Sequence, residues 1–337
     1  MNQFDIGVDM GTDSVIVYMK DKGIVLEEPS LVAYDDKKEE IVAVGSKAYD
    51  MLGKTPSYIR IIRPIENGSI SNFKMAEEML KIFLKKVFGS LFFKPTISMC
   101  VPCSITNLEK NVFITTALNV GARNVSLIEE PLAAAIGCGI DVSKSEGNMV
   151  VDIGAGSTDI AVVSLGGVVV SKSIKIASYS MDNHIIEYIA KHKGILIGQK
   201  TAERVKKEIG TLFDPSENIV TEVKGMVIQE GLPGKTVVSQ KEIYDAILPD
   251  AMDIKNAIHS VIEITPPELT GDIIVLGITL TGGGSLVKGL DRFISKAIGV
   301  AVNVSSDAIY CVAKGTGLCY NFMDSMIDMD YSEVDIS

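Results

Sequence analysis

Two apolar stretches of the chain are each interrupted by a short segment of glycine and polar residues and then continue. The first reads IGVDMGTDSVIVYM, residues 6–19, and the second reads MVVDIGAGSTDIAVVSL, residues 149–165. Apolar and β-branched runs of this length predict buried strands, and small residues between them predict a tight turn or a close approach to a ligand. We therefore predict that each stretch forms two strands joined by a turn.

The two interruptions share one pattern. Asp9 and Asp152 each begin the sequence Asp-x-Gly-x-x-Ser, and both are flanked by β-branched runs. A unit that recurs once at a long spacing indicates an internal duplication and not a short solenoid repeat. Two related α/β halves that face each other would bring both turns to one central cleft, which is where ligands bind in such architectures.

The rest of the chain shows further helical and strand-like patterns. Helices are predicted at residues 73–89, 107–122, 181–194 and 199–210. A buried strand is predicted at residues 96–102. Segments with a strand, a turn and then a helix are predicted at residues 124–139 and 272–299. Short strand-like runs that indicate small inserted subdomains lie at residues 28–65 and 219–238.

Composition and charge exclude some classes of function. The chain has 337 residues, enough for about two domains, and 47% of them are apolar, so a large core is expected. The formal net charge of −11 argues against nucleic acid as a partner, because binding to phosphate backbones needs a basic face. No apolar run is long enough to span a membrane, and the first residues are too few and too acidic for a signal peptide. We expect a cytoplasmic location.

The five cysteines fit a reducing compartment. Cys100 and Cys103 form a single C-x-x-C pattern, which is found in redox and zinc sites. No second pair or cluster of histidines accompanies it, and the surrounding run is apolar. We therefore favour two core thiols over a redox or zinc site.

Both predicted turns offer groups that bind phosphate. Glycines let backbone N–H groups approach an anion without a Cβ in the way, and hydroxyl groups add further donors. The residues that provide these groups are Gly11, Thr12, Ser14, Gly154, Gly156 and Ser157. Asp9 and Asp152 would repel phosphate, so we predict that they hold a hydrated Mg²⁺ that bridges phosphate oxygens. Acid-capped hairpin turns without a ligand are the alternative, which the duplication and a third loop disfavour.

The third loop reads TGGGSLVKG and lies between a predicted strand and a predicted helix. Its glycines offer more backbone donors and leave room for a flat ring, which predicts an adenosine contact. The residues concerned are Gly282, Gly283, Gly284 and Ser285. In the helix TAERVKKEIG, Glu203 and Lys206 could reach a ribose or a base edge, although this helix alone would be read as a solvated charged face.

These motifs together resemble those of the superfamily of actin, sugar kinases and heat-shock chaperone ATPases. Within it, the segments LIEEPLAAAIG, GNMVVDIGAGSTDIAVVSLGGVVVSKSI, TAERVKKEIG and LTGGGSLVKGLD resemble the MreB family of bacterial actins, and the match runs over nearly the whole chain, from Phe4 to Phe322. The resemblance implies binding of ATP or ADP with Mg²⁺ and polymerisation into paired protofilaments at the inner face of the cytoplasmic membrane. It also implies a role in cell shape or movement, with other MreB paralogues as possible partners.

The resemblance implies an α/β fold of the actin type, in which a ribonuclease-H-like unit is duplicated. Two lobes would enclose a nucleotide cleft, and each lobe would carry a small inserted subdomain. The implied first lobe comprises residues 1–146 and 308–326, with its insertion at about 31–65. The implied second lobe comprises residues 147–307, with its insertion at about 180–246. Residues 327–337 are expected to form an acidic disordered tail.

Roles in ATP hydrolysis are carried over from the family to two residues. Glu130 matches a glutamate that orients the attacking water, and Ser157 matches a threonine that helps to position the same water. Because positioning is most of the catalysis in phosphoryl transfer, a serine with a freer rotamer predicts slow or weak hydrolysis.

The turns also depart from the family pattern at three further positions. Asp13 and Ser14 stand where the family has alanine and asparagine, and Ala155 replaces a glycine. Asp13 brings a negative charge to the phosphate turn, so nucleotide affinity is expected to be reduced unless this side chain turns outward. Ala155 is a milder change, since its N–H can still contact phosphate if its φ is negative.

A membrane contact is implied at the segment GSLFFKP, residues 89–95, which matches an apolar loop of the family. Many family members also begin with an amphipathic helix, whereas this sequence begins on a strand-like run. The loop residues concerned are Leu91, Phe92 and Phe93, with Lys85, Lys86 and Lys94 beside them. Aromatic residues next to lysines suit an anionic interface, and a buried joint between helix and strand is the alternative.

Two other functions are possible on the same ATPase frame. A small-molecule kinase would need a base aspartate and usually longer insertions than the one at residues 28–65. A chaperone ATPase would need a substrate-binding domain after Phe322. We therefore favour the filament protein, with the small-molecule kinase as the alternative.

Overall fold

The structure is a computed structural model that describes residues 5–89 and 94–323. Its first half contains strands β1 (Asp5–Met10), β2 (Ser14–Met19), β3 (Gly23–Pro29), β4 (Val32–Asp35) and β5 (Glu40–Val44), helix α1 (Ser46–Met51), strands β6 (Ile59–Ile62), β7 (Ile65–Glu66) and β8 (Ser69–Ile70), helix α2 (Phe73–Phe88), strand β9 (Thr96–Val101), helix α3 (Asn107–Asn119), strand β10 (Asn124–Glu129) and helix α4 (Glu130–Gly137).

The second half contains strands β11 (Asn148–Ile153), β12 (Thr158–Ser164) and β13 (Gly167–Ile174), helix α5 (Ser178–Lys193), strand β14 (Ile195–Leu196), helix α6 (Gln199–Ile209), strands β15 (Val220–Val227) and β16 (Pro233–Ser239), helices α7 (Gln240–Ile264) and α8 (Pro267–Leu276), strand β17 (Ile278–Thr281), a 3₁₀ helix (Gly283–Leu286), helix α9 (Leu290–Ile298), strand β18 (Val302–Val304) and helix α10 (Cys311–Met323).

Two five-stranded sheets share the same topology. Their strand orders are β3-β2-β1-β9-β10 and β13-β12-β11-β17-β18. In each sheet the first two pairings are antiparallel and the last two are parallel. The predicted duplication is therefore confirmed, and β1–β2 and β11–β12 are the equivalent hairpins.

Each sheet buries its own apolar core under helices. In the first, Phe83 from α2 and Phe113 from α3 are fully buried against the strands. Burial of one such side chain stabilises the fold by about 1.5–3 kcal/mol. Helix α2 begins after Asn72, whose Oδ1 accepts a hydrogen bond of 3.2 Å from the Met75 N–H, and ends at Gly89. The boundaries of this predicted helix are confirmed.

Helices α4 and α10 pack against each other, with the first sheet beside α10 and the second beside α4. Their contact depends on residues without side chains. A Cβ on Gly315 would lie 1.7 Å from the Ala133 carbonyl oxygen, and one on Gly137 would lie 1.8 Å from that of Cys311. The two backbones therefore touch directly where the two halves of the molecule meet.

Two small three-stranded sheets are attached to this frame. Strands β4, β5 and β6 form one sheet, which packs with α1 around Leu31, Ala33 and Ala48. Strands β14, β15 and β16 form the other, and they lie between α5 and α7 in the chain. In the described ranges, no helix is both long and apolar enough to cross a membrane.

The sequence prediction for residues 272–299 is wrong at its start. Residues 272–276 are the last turns of helix α8 and not part of a strand, which begins only at Ile278. Pro267 lies in the first turn of this helix, and Gly277, with a φ of 80°, ends it. The membrane loop predicted at Leu91, Phe92 and Phe93 and the tail predicted at residues 327–337 lie outside the described residues.

Candidate functional site

The turns of the two equivalent hairpins have the same backbone geometry. The Gly11 N–H donates to the Ser14 carbonyl at 3.0 Å, and the Gly154 N–H donates to the Ser157 carbonyl at 3.0 Å. In both hairpins, the aspartate of the Asp-x-Gly pattern is the last residue but one of the first strand. The sequence prediction of a tight turn in each stretch is confirmed.

The two turns face each other. A Cβ on Gly156 would lie 2.7 Å from Thr12 Oγ1 and 2.9 Å from the Asn67 nitrogen, so no larger residue fits at position 156 without a shift. The Gly68 N–H in turn donates to Thr12 Oγ1 at 3.2 Å. The first turn, the second turn and the short β7–β8 hairpin therefore meet at one place.

The third loop lies against the second turn. Gly282 has a φ of 79°, and a Cβ there would lie 2.3 Å from the Ile153 carbonyl oxygen and 2.7 Å from Asp152 Oδ1. A Cβ on Gly284 would lie 2.5 Å from Ile153 Cγ2, whereas a Cβ on Gly283 would meet nothing within 4 Å. Ser285 is buried, and its Oγ donates to the Gly282 carbonyl at 2.6 Å. Only Gly283 thus faces open space.

Four carboxyl groups lie near one another at the ends of β1, β10 and β11 and in β12. They belong to Asp9, Glu130, Asp152 and Asp159. Asp152 and Asp159 are directly opposite each other in the antiparallel pair, whereas the residue opposite Asp9 is Ile16. The carboxyl group of Asp159 therefore has no counterpart in the first hairpin.

Burial raises the pKa of each of these groups because it disfavours the charged form. It raises the pKa of Asp9 to about 6, although a hydrogen bond of 3.3 Å from the Cys100 thiol to Oδ1 acts in the opposite direction. Burial also raises the pKa of Asp159 to about 6, against the Cys103 N–H, which donates to Oδ1 at 3.2 Å.

The pKa values of the other two groups lie well above their usual range. Burial is the largest cause for both, and the negative charge of Asp159 is the next. Glu130 is also raised by the charges of Asp152 and Asp9. Neighbouring acids therefore add to burial in raising the pKa values of Glu130 and Asp152.

Among the described residues, three buried carboxylate oxygens have no hydrogen-bond partner: Asp152 Oδ1, Asp159 Oδ2 and Asp182 Oδ1. The last lies 2.8 Å from the Lys206 ammonium, whereas the first two have no cation beside them in the described structure. Unpartnered buried acceptors are costly and call for an explanation, such as a bound ion or water. In the described residues, no group of three or more His, Cys, Asp or Glu side chains is placed to hold a metal ion directly. The donor set therefore fits a hydrated Mg²⁺ that takes most of its ligands from water and phosphate.

The start of helix α5 is tied to the second turn. The Ser178 N–H donates to the Gly154 carbonyl at 3.2 Å, and the Tyr179 N–H donates to the Ala155 carbonyl at 2.9 Å. The φ of Ala155 is not in the left-handed region, so alanine fits where the family has glycine. The N–H groups of Ser178 and Tyr179 are thus used in hydrogen bonds within the protein.

Helix α6 carries the two residues predicted to contact the ribose or the base edge, Glu203 and Lys206, and they lie in different environments. Lys206 is buried: its ammonium lies 2.8 Å from Asp182 Oδ1 and donates to the Ser178 carbonyl at 2.7 Å. Lys206 is therefore paired with Asp182 inside the second half, and its contact with a ligand stays a prediction. Glu203 remains accessible and lines an open cleft of about 470 Å³ between α1 and α6.

Four site residues were missed in the sequence. Asp159 is a charged residue inside an otherwise apolar strand, and this pattern could have revealed it. Asn67 and Gly68 form the Asn-Gly turn typical of a two-residue hairpin, with φ values of 51° and 78°. Tyr179 gave no signal, because its role depends on a contact with Asp13 that is remote in sequence.

The two C-x-x-C thiols are separate free cysteines. Cys100 is buried in β9 and donates to Asp9, and burial raises its pKa, as it does that of Cys103. Such thiols are poor nucleophiles and metal ligands, which need the thiolate form.

Comparisons with known proteins agree with the geometry. The family model for MreB/Mbl protein matches residues 3–328. Cell shape-determining protein Mbl of Bacillus subtilis (strain 168) is 42% identical over 323 residues, which are 96% of this chain and 97% of that protein. Cell shape-determining protein MreB of Escherichia coli (strain K12) is 42% identical over 326 residues, which are 95% and 94% of the two chains.

Solved structures are similar over the same length. The crystal structure of MreB5 of Spiroplasma citri bound to AMPPNP has a TM-score of 0.92 and 35% identity, with 97% of this chain and 98% of that chain covered. The MamK double helical filament, at 22% identity, has a TM-score of 0.81 and covers 95% and 99% of the two chains, which shows the likeness in fold. The predicted actin-like α/β fold with two lobes is confirmed, and the chain belongs to the MreB/Mbl family.

Proposed function

We propose that the chain binds ATP with Mg²⁺ between its two hairpin turns and assembles into cytoskeletal filaments that govern cell shape or movement. The observation that carries the proposal is the pair of equivalent turns, which face each other above buried carboxylates that have unpartnered oxygens. The solved MreB5 structures of Spiroplasma citri hold AMPPNP and ADP, which supports an adenine nucleotide as the ligand.

We assign different residues of the cleft to the phosphates, the adenosine and the Mg²⁺ ion. The phosphates are assigned to the two turns, with the N–H and hydroxyl groups of Thr12, Ser14, Ala155, Gly156 and Ser157 as donors. Gly11 and Gly154, whose N–H groups bond within the turns, are assigned to the shape of the phosphate-binding backbone. The adenosine is assigned to Glu203 and to the loop of Gly282, Gly283, Gly284 and Ser285, of which Gly283 is open. Asp9 and Asp152 are assigned to Mg²⁺ through water, and the ion would supply positive charge to the phosphate oxygens.

Hydrolysis is assigned to Glu130 and Ser157. Glu130 is the first residue of α4, and the neighbouring carboxyl groups and burial keep its pKa high. In its ionised form, this carboxylate can accept a hydrogen bond from the attacking water and orient it. Ser157 stands where the family has a threonine, and its hydroxyl lacks the β-branch that restricts the rotamer. We therefore propose slow hydrolysis.

Sedimentation with phosphate release measured alongside tests filament formation and hydrolysis together. We expect the protein to pellet with ATP and with a non-hydrolysable analogue, to pellet less with ADP, and to release phosphate slowly. A serine side chain can occupy three staggered positions, and a threonine is restricted to fewer. Ser157→Thr should therefore raise the rate of ATP hydrolysis by a factor of about three. Glu130→Gln should lower the rate about a hundredfold without preventing pelleting, because it removes a proton acceptor.

Two results would contradict parts of this proposal. Pelleting that is independent of nucleotide would oppose ATP-driven assembly. A turnover in the unaltered protein as high as that of family members with threonine at the Ser157 position would oppose the assignment of slow hydrolysis. Transfer of phosphate to a small metabolite would favour the kinase alternative.

We also propose that the filament lies on the inner face of the cytoplasmic membrane, with contact through Leu91, Phe92 and Phe93. The described residues on either side of this loop are basic: Lys85 and Lys94 are exposed, and Lys86 is paired with Glu28 at 2.6 Å. Lysines beside an apolar loop favour an anionic surface. Other MreB paralogues are proposed as further partners on the basis of the family alone.

Replacement of Phe92 and Phe93 by serine should reduce co-sedimentation with anionic vesicles at least about tenfold, because two phenyl groups would no longer leave water. The matched control is Ile274→Ser with Val275→Ser, two apolar residues that are 67% and 83% exposed on α8. We expect the control to bind vesicles as the unaltered protein does. Unchanged vesicle binding together with loss of solubility in the Phe92 and Phe93 variant would instead indicate a buried joint.

A further inference from the structure

Tyr179 contacts both of the facing turns. Its backbone N–H donates to the Ala155 carbonyl in the second turn at 2.9 Å, and its hydroxyl donates to the Asp13 carboxylate in the first turn. Hydrogen bonds of Tyr179 therefore reach the 11–13 segment of one hairpin and the 154–156 segment of the other. Tyr179 thus links the two halves of the molecule at the place where phosphate is proposed to bind.

Arg63 fixes the ring and adds positive charge. Its Nη1 donates to the Tyr179 hydroxyl at 2.7 Å, and its guanidinium carbon lies 4.6 Å from the centre of the ring. Its Nη2 donates to Gln199 Oε1 at 3.3 Å, so the guanidinium is also tied to α6. The tyrosine hydroxyl therefore receives one hydrogen bond from a cation and gives one to an anion.

The Asp13 carboxylate needs such a partner. It belongs to the turn that is proposed to bind phosphate, and a carboxylate there would repel phosphate by direct charge. In the structure Asp13 is exposed, and its Oδ1 is taken by Tyr179. The titratable groups near this contact are Arg63, Tyr49, Glu203 and Lys207, which belong to the mouth of the cleft between α1 and α6.

We propose that Tyr179 is a positioning residue that holds the Asp13 carboxylate out of the phosphate site and so sets the affinity for nucleotide phosphates. The inference rests on the proposed ATP site. It explains how a chain with an acid in its phosphate turn keeps a usable site. It also makes the affinity for nucleotide dependent on the Tyr179 hydroxyl group. A phenylalanine at this position would keep the contact of the ring with Arg63 but could not donate a hydrogen bond to the Asp13 carboxylate.

The test compares Tyr179→Phe, Asp13→Asn and the double variant by titration with Mg-ADP and with adenosine. Tyr179→Phe should weaken Mg-ADP binding about tenfold, since one charge near phosphate is worth a factor of this order in a partly screened site. Adenosine, which has no phosphate, should bind as it does to the unaltered protein. Asp13→Asn should bind Mg-ADP at least as tightly as the unaltered protein, and the double variant should match Asp13→Asn within about twofold.

The control is Tyr188→Phe on the same helix, which should leave both affinities unchanged. Two results would overturn the inference by assigning Tyr179 a packing role. One is a loss of Mg-ADP affinity in Tyr179→Phe that persists when Asp13→Asn is also present. The other is an equal loss of affinity for adenosine. An unaltered affinity for Mg-ADP in Tyr179→Phe would also overturn it. Failure of the unaltered protein to bind Mg-ADP would instead contradict the proposed function, so the two failures are distinguishable.

Discussion

Asp152→Asn is expected to make the nucleotide-free protein more stable and to weaken its binding of Mg-nucleotide about 10- to 100-fold, as loss of a group that orients a metal's ligands does. Asp152 is buried, its Oδ1 has no partner, and its pKa lies well above the usual value because of burial and the charge of Asp159. Removal of this charge should raise the free energy of unfolding by about 1–2 kcal/mol at neutral pH.

The gain in stability should depend on pH with a definite sign. An acid whose pKa is raised by folding binds more protons in the folded state, so its contribution is complete below its unfolded pKa and is lost as pH rises through its folded pKa. The ordinary pKa of aspartate is 3.8, and burial and the charge of Asp159 raise the folded pKa of Asp152 well above it. The difference in stability between Asp152→Asn and the unaltered protein should therefore be small near pH 4 and grow toward neutral pH.

Denaturant unfolding at several pH values measures this difference. The matched control is Asp250→Asn, because Asp250 is also buried but its Oδ2 lies 2.6 Å from His184 Nδ1. Loss of that partnered charge should lower the stability. If Asp152→Asn lowered the stability as well, the oxygen would have a favourable partner, and the inferred cation site would lose its support.

Gly315→Ala is expected to lower the free energy of unfolding by about 3 kcal/mol or more, at the upper end of the cost of overpacking. The new methyl group would lie 1.7 Å from the Ala133 carbonyl oxygen, a backbone atom that cannot turn aside as a side chain does. Helices α4 and α10 would have to separate, and they pack where the two sheets of the molecule approach each other.

Gly271→Ala in helix α8 is the matched control for this substitution. A Cβ at Gly271 would meet nothing within 4 Å, so alanine should be neutral or should stabilise the helix by about 0.5–1 kcal/mol. Thermal unfolding and the yield of folded protein measure both variants. Equal stability of Gly315→Ala and the unaltered protein would show that the two helices are not in backbone contact.

Local patterns predicted part of the frame of the molecule, whereas helices α7 and α10 were not predicted. The two hairpins, the helices at α2, α3, α5 and α6 and the duplication follow from alternation, helical spacing and a repeated motif, all of which are properties of neighbouring residues. The pattern failed at residues 272–276, where an apolar run before a strand is as typical of a helix end as of a strand. The apolar residues alone did not distinguish these two structures.

The chemistry of the site depends on contacts that sequence spacing does not contain. Asp159 acquires its importance from its position opposite Asp152 in the β11–β12 pair. Lys206 has the residue type expected for a ligand contact, but Asp182 holds its ammonium inside the second half. The link from Asp13 to Tyr179 joins the two halves of the molecule, so it depends on how they are packed together.

Isothermal titration with Mg-AMPPNP tests most directly whether a nucleotide is held between the two acidic hairpin turns. We predict saturable binding of one nucleotide per chain, which chelation of magnesium weakens strongly and which Asp152→Asn weakens in the same direction. Binding that is unaffected by both magnesium and Asp152, or no heat of binding at all in the presence of magnesium, would contradict the account.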